Sequence, residues 1–286
     1  MSRPVEFFHE HGYYIARGLF SPQEVEALRA HYMRLNEENR RSEALAKRAA
    51  DPGKHVPLEG PPDPLHQYPR MLQMHRWDET SLRFLLDSRL RELLTLLLGG
   101  EPYAVQTMIY FKPPGARGQA LHQDQYYLRV QPGTSMAAWL ALDDCDESNG
   151  CMQVVDGSHK WDILCTVPAD TTQSFSAVTV PLPAGVKPTP AIMQAGDVLF
   201  FNGSVVHGSF PNTTKDRFRR SLIAHYIVAE AQKVGEFYQP VLRMDGSVVD
   251  LGTSEGATQC GIWVDHEGEP VIEMVSKGSI AAPAHE

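Results

Sequence analysis

At 286 residues, 42% of them hydrophobic and 21% charged, the chain has the composition of a soluble enzyme and the length of one large domain or one with an elaborated rim. The 26 Lys and Arg stand against 35 Asp and Glu, a net charge of −9, which argues against a nucleic-acid-binding protein with its basic face. No run of about 18 apolar residues exists to make a membrane-spanning helix. The segment Met1–Glu6 lacks the apolar stretch of a secretory signal. Four cysteines, Cys145, Cys151, Cys165 and Cys260, include no C-x-x-C pair and suggest no disulfide framework, so a reducing, cytoplasmic compartment is expected.

In chain order, residues 7–20 read as a short helix that breaks at Gly12 and runs into a strand at Tyr13-Tyr14-Ile15. Ser21 is an N-cap, Pro22 fits the first helical position, and Glu24 completes a capping box. Val25, Leu28, Tyr32 and Leu35 follow at helical spacing, which predicts a helix over about 22–38. The charged residues 36–50 continue it as a solvated helix. Residues 51–69 hold six prolines and two glycines and are expected to form a surface loop. A second helix is predicted over Ser81–Leu98, stopped by Gly99-Gly100.

The pattern then changes to short apolar or alternating runs: Tyr103–Phe111, Met136–Leu142, Cys151–Val155, Ala191–Gln194, Val198–Phe201 and Ser221–Val228. Turn signals such as Lys112-Pro113-Pro114-Gly115 and Ala195-Gly196-Asp197 separate them, the signature of an antiparallel sandwich or barrel. Two further hairpins are expected, Val241–Leu251 around Asp245-Gly246 and Ile262–Met274 around Glu267-Gly268.

The chemistry concentrates at His122-Gln123-Asp124. On an extended strand, side chains two residues apart share a face, so an imidazole and a carboxylate can converge on one metal ion. His207, at the end of a strongly apolar run, is the best third ligand. Two histidines and one carboxylate make the facial triad of non-haem Fe(II) oxygenases, with three positions left for a cosubstrate and O2. Arg219, twelve residues after His207, opens the next strand and can grip a dicarboxylic cosubstrate with its planar fork. Arg217 and Arg220 fit a solvated hairpin edge. His225 fits a packed or hydrogen-bonded histidine better than a ligand, and Cys145 and Cys151 could approach each other across a hairpin.

Taken together, His122-Gln123-Asp124, Gly157–Lys160, Ala195–Ser209 and Arg217–Tyr226 resemble the phytanoyl-CoA dioxygenase family, as does the opening Phe7–Leu28. The resemblance implies a mainly β fold with flanking helices, a double-stranded β-helix (jelly roll, cupin-like). It implies one domain, helical over about 1–100, jelly-roll over about 101–230, with a C-terminal extension at 231–286. It further implies Fe(II) as metal, with 2-oxoglutarate and O2 as cosubstrates. His122, Asp124 and His207 would be the iron ligands, and Arg219 and Ser209 would hold the distal carboxylate of 2-oxoglutarate. Met108 and Trp139 match positions that contact the cosubstrate in relatives, and Gln123, between the ligands, could bond cosubstrate or substrate. The arginine lies one residue further from His207 than is common in the family, so Arg217 is the alternative anchor. A lysine that some relatives carry upstream has no clear counterpart; Arg70 and Gln73 lie nearby.

The expected reaction is hydroxylation of a small molecule, because Asp124 fills the place that a halide would need. Two rivals are a jelly-roll isomerase or hydrolase that does not use 2-oxoglutarate, and a catalytically silent ligand-binding relative. Only the oxoglutarate reading needs a buried guanidinium at position 219. The segment Arg70–Trp77 supplies Arg70, His75, Arg76 and Trp77, which with Tyr68 suit an anionic or carboxylated substrate.

Overall fold

The computed structural model describes residues 3–50, 64–255 and 259–275. Helix α1 (Arg3–His11) passes through Gly12 into β1 (Tyr13–Ala16), and α2 (Pro22–Ala50) follows, so the charged tail does continue the helix. The capping box forms: the Ser21 amide donates to Glu24 Oε2 at 2.8 Å and the Glu24 amide to Ser21 Oγ at 3.3 Å. After β2 (Met71–Leu72), the single helix expected over Ser81–Leu98 is two, α3 (Glu79–Leu85) and α4 (Ser88–Leu98). Each has its own aspartate cap. Asp78 accepts from the Ser81 amide at 2.8 Å and Asp87 from the Arg89 amide at 2.9 Å. A carboxylate that captures backbone N–H groups restarts a helix even inside a periodic apolar run.

The remaining elements are β3 (Tyr103–Tyr110), β4 (Gln119–His122), α5 (Gln125–Leu128), β5 (Ser135–Ala141), β6 (Met152–Val154), β7 (Val167–Pro168) and β8 (Val178–Thr179). Then come β9 (Thr189–Ala191), β10 (Val198–Asn202), β11 (His207–Ser209), β12 (Ser221–Ile227), β13 (Lys233–Val234), β14 (Val241–Leu242), β15 (Val248–Val249) and β16 (Gly252–Thr253). The last two, β17 (Gly261–His266) and β18 (Glu269–Met274), form the expected hairpin. The major sheet runs β1-β10-β5-β12-β3-β14-β15 with β2 also on β3, and the minor sheet runs β4-β11-β6-β9. Their strands pair antiparallel throughout, and the two sheets make a jelly roll flanked by helices.

The central strands β5 and β12 are buried at every residue, which explains their unbroken apolar runs. One face, through Met136, Ala138, Leu140, Leu222, Ala224 and Tyr226, packs on Tyr32 of α2 and on Leu90, Leu94 and Leu97 of α4. The other face, through Ala137, Trp139, Leu199, Phe201 and Ile223, packs on Met152, Val154 and Ala191 of the minor sheet. The site residues sit on this inner face and on the minor sheet opposite. His207 does not end the apolar strand β10, as its position suggested. The chain leaves β10 at Asn202, crosses between the sheets, and His207 opens β11.

The cysteines correct an expectation. Cys165 and Cys260 form a disulfide across 95 residues, while Cys145 and Cys151 are buried thiols in the core between the sheets. The bond fastens the β17–β18 hairpin, whose Trp263 and Ile272 pack beside Leu164 and Val206. None of the described helices is long and apolar enough to cross a membrane. A thiol-reactive dye should therefore titrate two cysteines per chain in denatured, unreduced protein and all four after reduction. Four without reductant would remove the bond.

Candidate metal centre

Strands β4 and β11 pair so that His122 and His207 are direct cross-strand neighbours. Their rings lie 4.2 Å apart, centroid to centroid. Each imidazole donates from Nδ1 to the carbonyl two residues upstream, His122 to Ala120 and His207 to Val205, both at 2.9 Å. A carbonyl can only accept, so the proton is held on Nδ1 and Nε2 keeps its lone pair, on His122 facing the Gln119 side-chain amide nitrogen at 3.2 Å, which a metal would displace. Gly208 allows this pairing. A Cβ there would lie 2.7 Å from the Gln119 carbonyl oxygen, inside any ordinary contact.

Asp124 joins them by a route the sequence did not suggest. The strand ends at His122, and Asp124 has helical backbone angles (φ −61°, ψ −33°) at the start of α5. The turn at Gln123, rather than strand alternation, swings the carboxylate back. Its Oδ1 is 3.6 Å from His122 Nε2 and its Oδ2 is 3.7 Å from His207 Nε2. One ligand atom from each of the three residues lies within 4.8 Å of the others, and this is the only such cluster among the described residues. Burial opposes ionisation of Asp124, but the surrounding imidazoles, His207 first, and a hydrogen bond from His225 hold the carboxyl below its usual range. Burial, then the neighbouring His122, pushes His207 down to about 4, so its imidazole is neutral near pH 7. Two imidazoles and a carboxylate are a donor set suited to a divalent transition metal.

Beside the cluster, at Ser209 two residues along β11 from His207, two basic side chains are buried; burial, then the neighbouring Arg219, pushes Lys112 well below its usual range, and burial also lowers Arg219. Arg219, 2% exposed, donates from Nε to the Gly150 carbonyl at 3.0 Å and from Nη1 to Ser221 Oγ at 2.8 Å. Its guanidinium stands 5.2 Å from the centre of the Trp139 ring. Lys112, also 2% exposed, donates to Ser209 Oγ at 2.8 Å and to the Phe210 carbonyl at 2.5 Å. Backbone bonds in both directions between Lys112 and Arg219 hold the two side by side. Gly150 makes room, since a Cβ there would lie 2.5 Å from Lys112 Cδ. Neither basic group forms an ion pair with a carboxylate of the described residues. The nearby thiols Cys145 and Cys151 are pushed up to about 12 by burial and carry no compensating charge.

Lys112 is the residue that sequence reasoning missed. It stands in Lys112-Pro113-Pro114-Gly115, which reads as a turn, and its neighbour Arg219 is far away in sequence. Arg217, the alternative anchor, is on the surface with Asp146 at 2.7 Å, and Arg220 grips Asp143 through two 2.8 Å bonds. Met108 and Trp139 flank Ile223 on the inner face, as their cross-strand register requires. Gln123 differs from expectation. Its amide is engaged by backbone groups, accepting from the Leu164 amide at 2.8 Å and donating to the Ser204 carbonyl at 2.9 Å. It braces the ligand turn.

A shallow cleft next to His122 is lined by Tyr126, Tyr127, Leu164, Thr166 and Val180. Of the residues expected to wall the substrate, Arg70 lies 3.5 Å from Tyr110 Oη and 5.9 Å from the Phe175 ring. The others lie elsewhere. Tyr68 packs on Phe111 and Phe218, His75 bonds Thr107 on the outer face, and Arg76 holds the carbonyls of Phe237 and Gln239. Trp77 is exposed, and most of the expected loop, 51–63, lies outside the described residues.

Comparison with known proteins places this arrangement. The rice protein "Phytanoyl-CoA dioxygenase 1" (Oryza sativa subsp. japonica) is 30% identical over 161 residues, 55% of this chain and only 56% of the rice protein. The bovine "Phytanoyl-CoA dioxygenase, peroxisomal" (Bos taurus) is 23% identical over 261 residues, 86% of this chain and 74% of its own length. Among solved structures, the non-heme alpha-ketoglutarate-dependent epimerase SnoN from nogalamycin biosynthesis superposes with a TM-score of 0.59 at 23% identity, over 80% of this chain and 83% of its own. At that identity the likeness speaks for the fold. The sequence profile of the family described as "Phytanoyl-CoA dioxygenase (PhyH)" matches residues 8–221, and the chain belongs to that family.

Proposed function

We propose that this chain is an Fe(II)- and 2-oxoglutarate-dependent oxygenase that hydroxylates an unactivated C–H bond of a small-molecule metabolite, one of an anionic or carboxylated kind. The observation that carries the reading is the adjacency of a three-donor metal cluster and a buried Arg219–Lys112 pair without a carboxylate partner among the described residues. A carboxylate-bearing cosubstrate supplies what that pocket lacks. A jelly-roll isomerase or hydrolase that does not use 2-oxoglutarate does not require a buried guanidinium there. Arg70, exposed beside Tyr110 and Phe175 and with no carboxylate partner among the described residues, supports an anionic group on the substrate.

The residues divide the work. His122, Asp124 and His207 would hold the metal on one side and leave the opposite side open. Arg219, Lys112 and Ser209 would fix the far carboxylate of 2-oxoglutarate, and Trp139 and Met108 would line its chain. When bound, iron and 2-oxoglutarate supply the oxidation, with O2 consumed and succinate and CO2 released. The protein contributes placement and the exclusion of water; the burial of Arg219 makes its charge count for more than it would in solvent, and a bound carboxylate would favour the protonated form of Lys112, which burial and Arg219 oppose.

The direct test is whether purified protein with Fe(II) converts 2-oxoglutarate to succinate. His122→Ala and His207→Ala should each abolish iron retention and succinate formation while circular dichroism stays unchanged; full turnover in either would remove the metal assignment. For the anchor, breaking one side of a buried charge pair costs about 2–5 kcal/mol. Arg219→Ala should therefore raise the apparent KM for 2-oxoglutarate roughly 30-fold or more. Lys112→Met should raise it in the same direction, and Arg217→Ala should leave it unchanged. A KM effect confined to Arg217→Ala would place the anchor wrongly.

A further inference from the structure

His225 lies on the inner face of β12, 5% exposed, between Ala137 of β5 and Gln106 of β3 in register. Its Nε2 is 3.1 Å from Asp124 Oδ2. A carboxylate only accepts, so His225 carries its proton on Nε2 and donates it to the metal-site carboxylate. The other ring nitrogen, Nδ1, is buried with no partner. A histidine kept only for packing has no reason to leave one nitrogen unsatisfied in order to aim the other at a carboxylate. The β3–β12 register shifts immediately after His225, and such irregularities re-aim side chains. Asp124 needs a restraint. It occupies the N-cap position of α5, yet its carboxylate makes no capping bond there.

We propose that His225 is a positioning residue that ties down Oδ2 of Asp124, so that the carboxylate meets the metal through Oδ1 and occupies one coordination position instead of two. Oδ1 is the oxygen 3.6 Å from His122 Nε2. A carboxylate free to rotate could chelate through both oxygens and take a position that the open side of the site requires. A partner that orients a ligand is a recurring part of metal sites, and losing one typically costs about 10–100-fold in metal affinity. The inference rests on the metal-centre reading and is independent of 2-oxoglutarate.

The test is therefore made on metal-free protein with Co(II) as a visible probe and no 2-oxoglutarate. His225→Phe, which fills the space but cannot donate, should weaken Co(II) binding about 10–100-fold and change the ligand-field spectrum. His225→Gln, whose amide can still donate, should recover most of the affinity and the unaltered spectrum. Binding by His225→Phe within about twofold of the unaltered protein, with the same spectrum, overturns the proposal. If that variant does not fold, His225→Leu takes its place, and equal losses in the leucine and glutamine variants overturn it. Absence of Co(II) binding by the unaltered protein sinks the metal-centre reading, and the role of His225 with it.

Discussion

The centre of this protein depends on the antiparallel pairing of β4 with β11. That ladder sets His122 opposite His207 and, past a register shift, two residues along β11 and three back along β4, it sets Ser209 against Gln119. Both halves of the site, the metal cluster and the hydroxyl that Lys112 reaches, therefore hang on a few backbone bonds at one sheet edge. The register tolerates no slip, because a shift by one residue would turn both imidazoles to the other face. Gly208, between the two functional side chains, keeps the strands close enough for the register to hold.

The second constraint is electrostatic. Two basic groups are buried side by side, and burial together with the Arg219 charge pushes the Lys112 ammonium toward its neutral form. The rest of the fold has to tolerate this. It does so with a central sheet covered on both faces, the helices packing one side and the minor sheet the other. Local unfavourable choices at a site, offset by regular packing elsewhere, are the usual sign that a position is held for chemistry.

Much of this was legible in the chain itself. Alternation and turn residues placed the central strands β3, β5, β10 and β12 to within a residue, the run at Ala191–Gln194 met β9 only at Ala191, and Ser21 with Glu24 marked the start of α2. What escaped has a common cause: it depends on partners distant in sequence. Lys112 reads as part of a proline turn until β3 and β12 bring it next to Arg219. Asp124 was expected on a strand, yet the chain turns at Gln123 because that amide is engaged by residues 164 and 204. His225 is hydrogen-bonded, as expected, but its partner Asp124 lies 101 positions earlier and could not be named from the sequence. The single helix expected over Ser81–Leu98 failed for a local reason, since Asp87 reads as one polar residue in an apolar run but acts as a cap.

The Cys165–Cys260 bond has a topological side. The ring it closes spans 95 residues and contains His207, Lys233 and the whole of β12, while His122, Asp124 and Lys112 lie outside it. The site is thus shared between a covalently closed loop and an open chain. In chain-entropy terms, a ring of that size disfavours the unfolded state by about 4–5 kcal/mol. The margin by which this protein stays folded is therefore set in part by the redox potential of its surroundings, and an identical chain has two stabilities in two compartments.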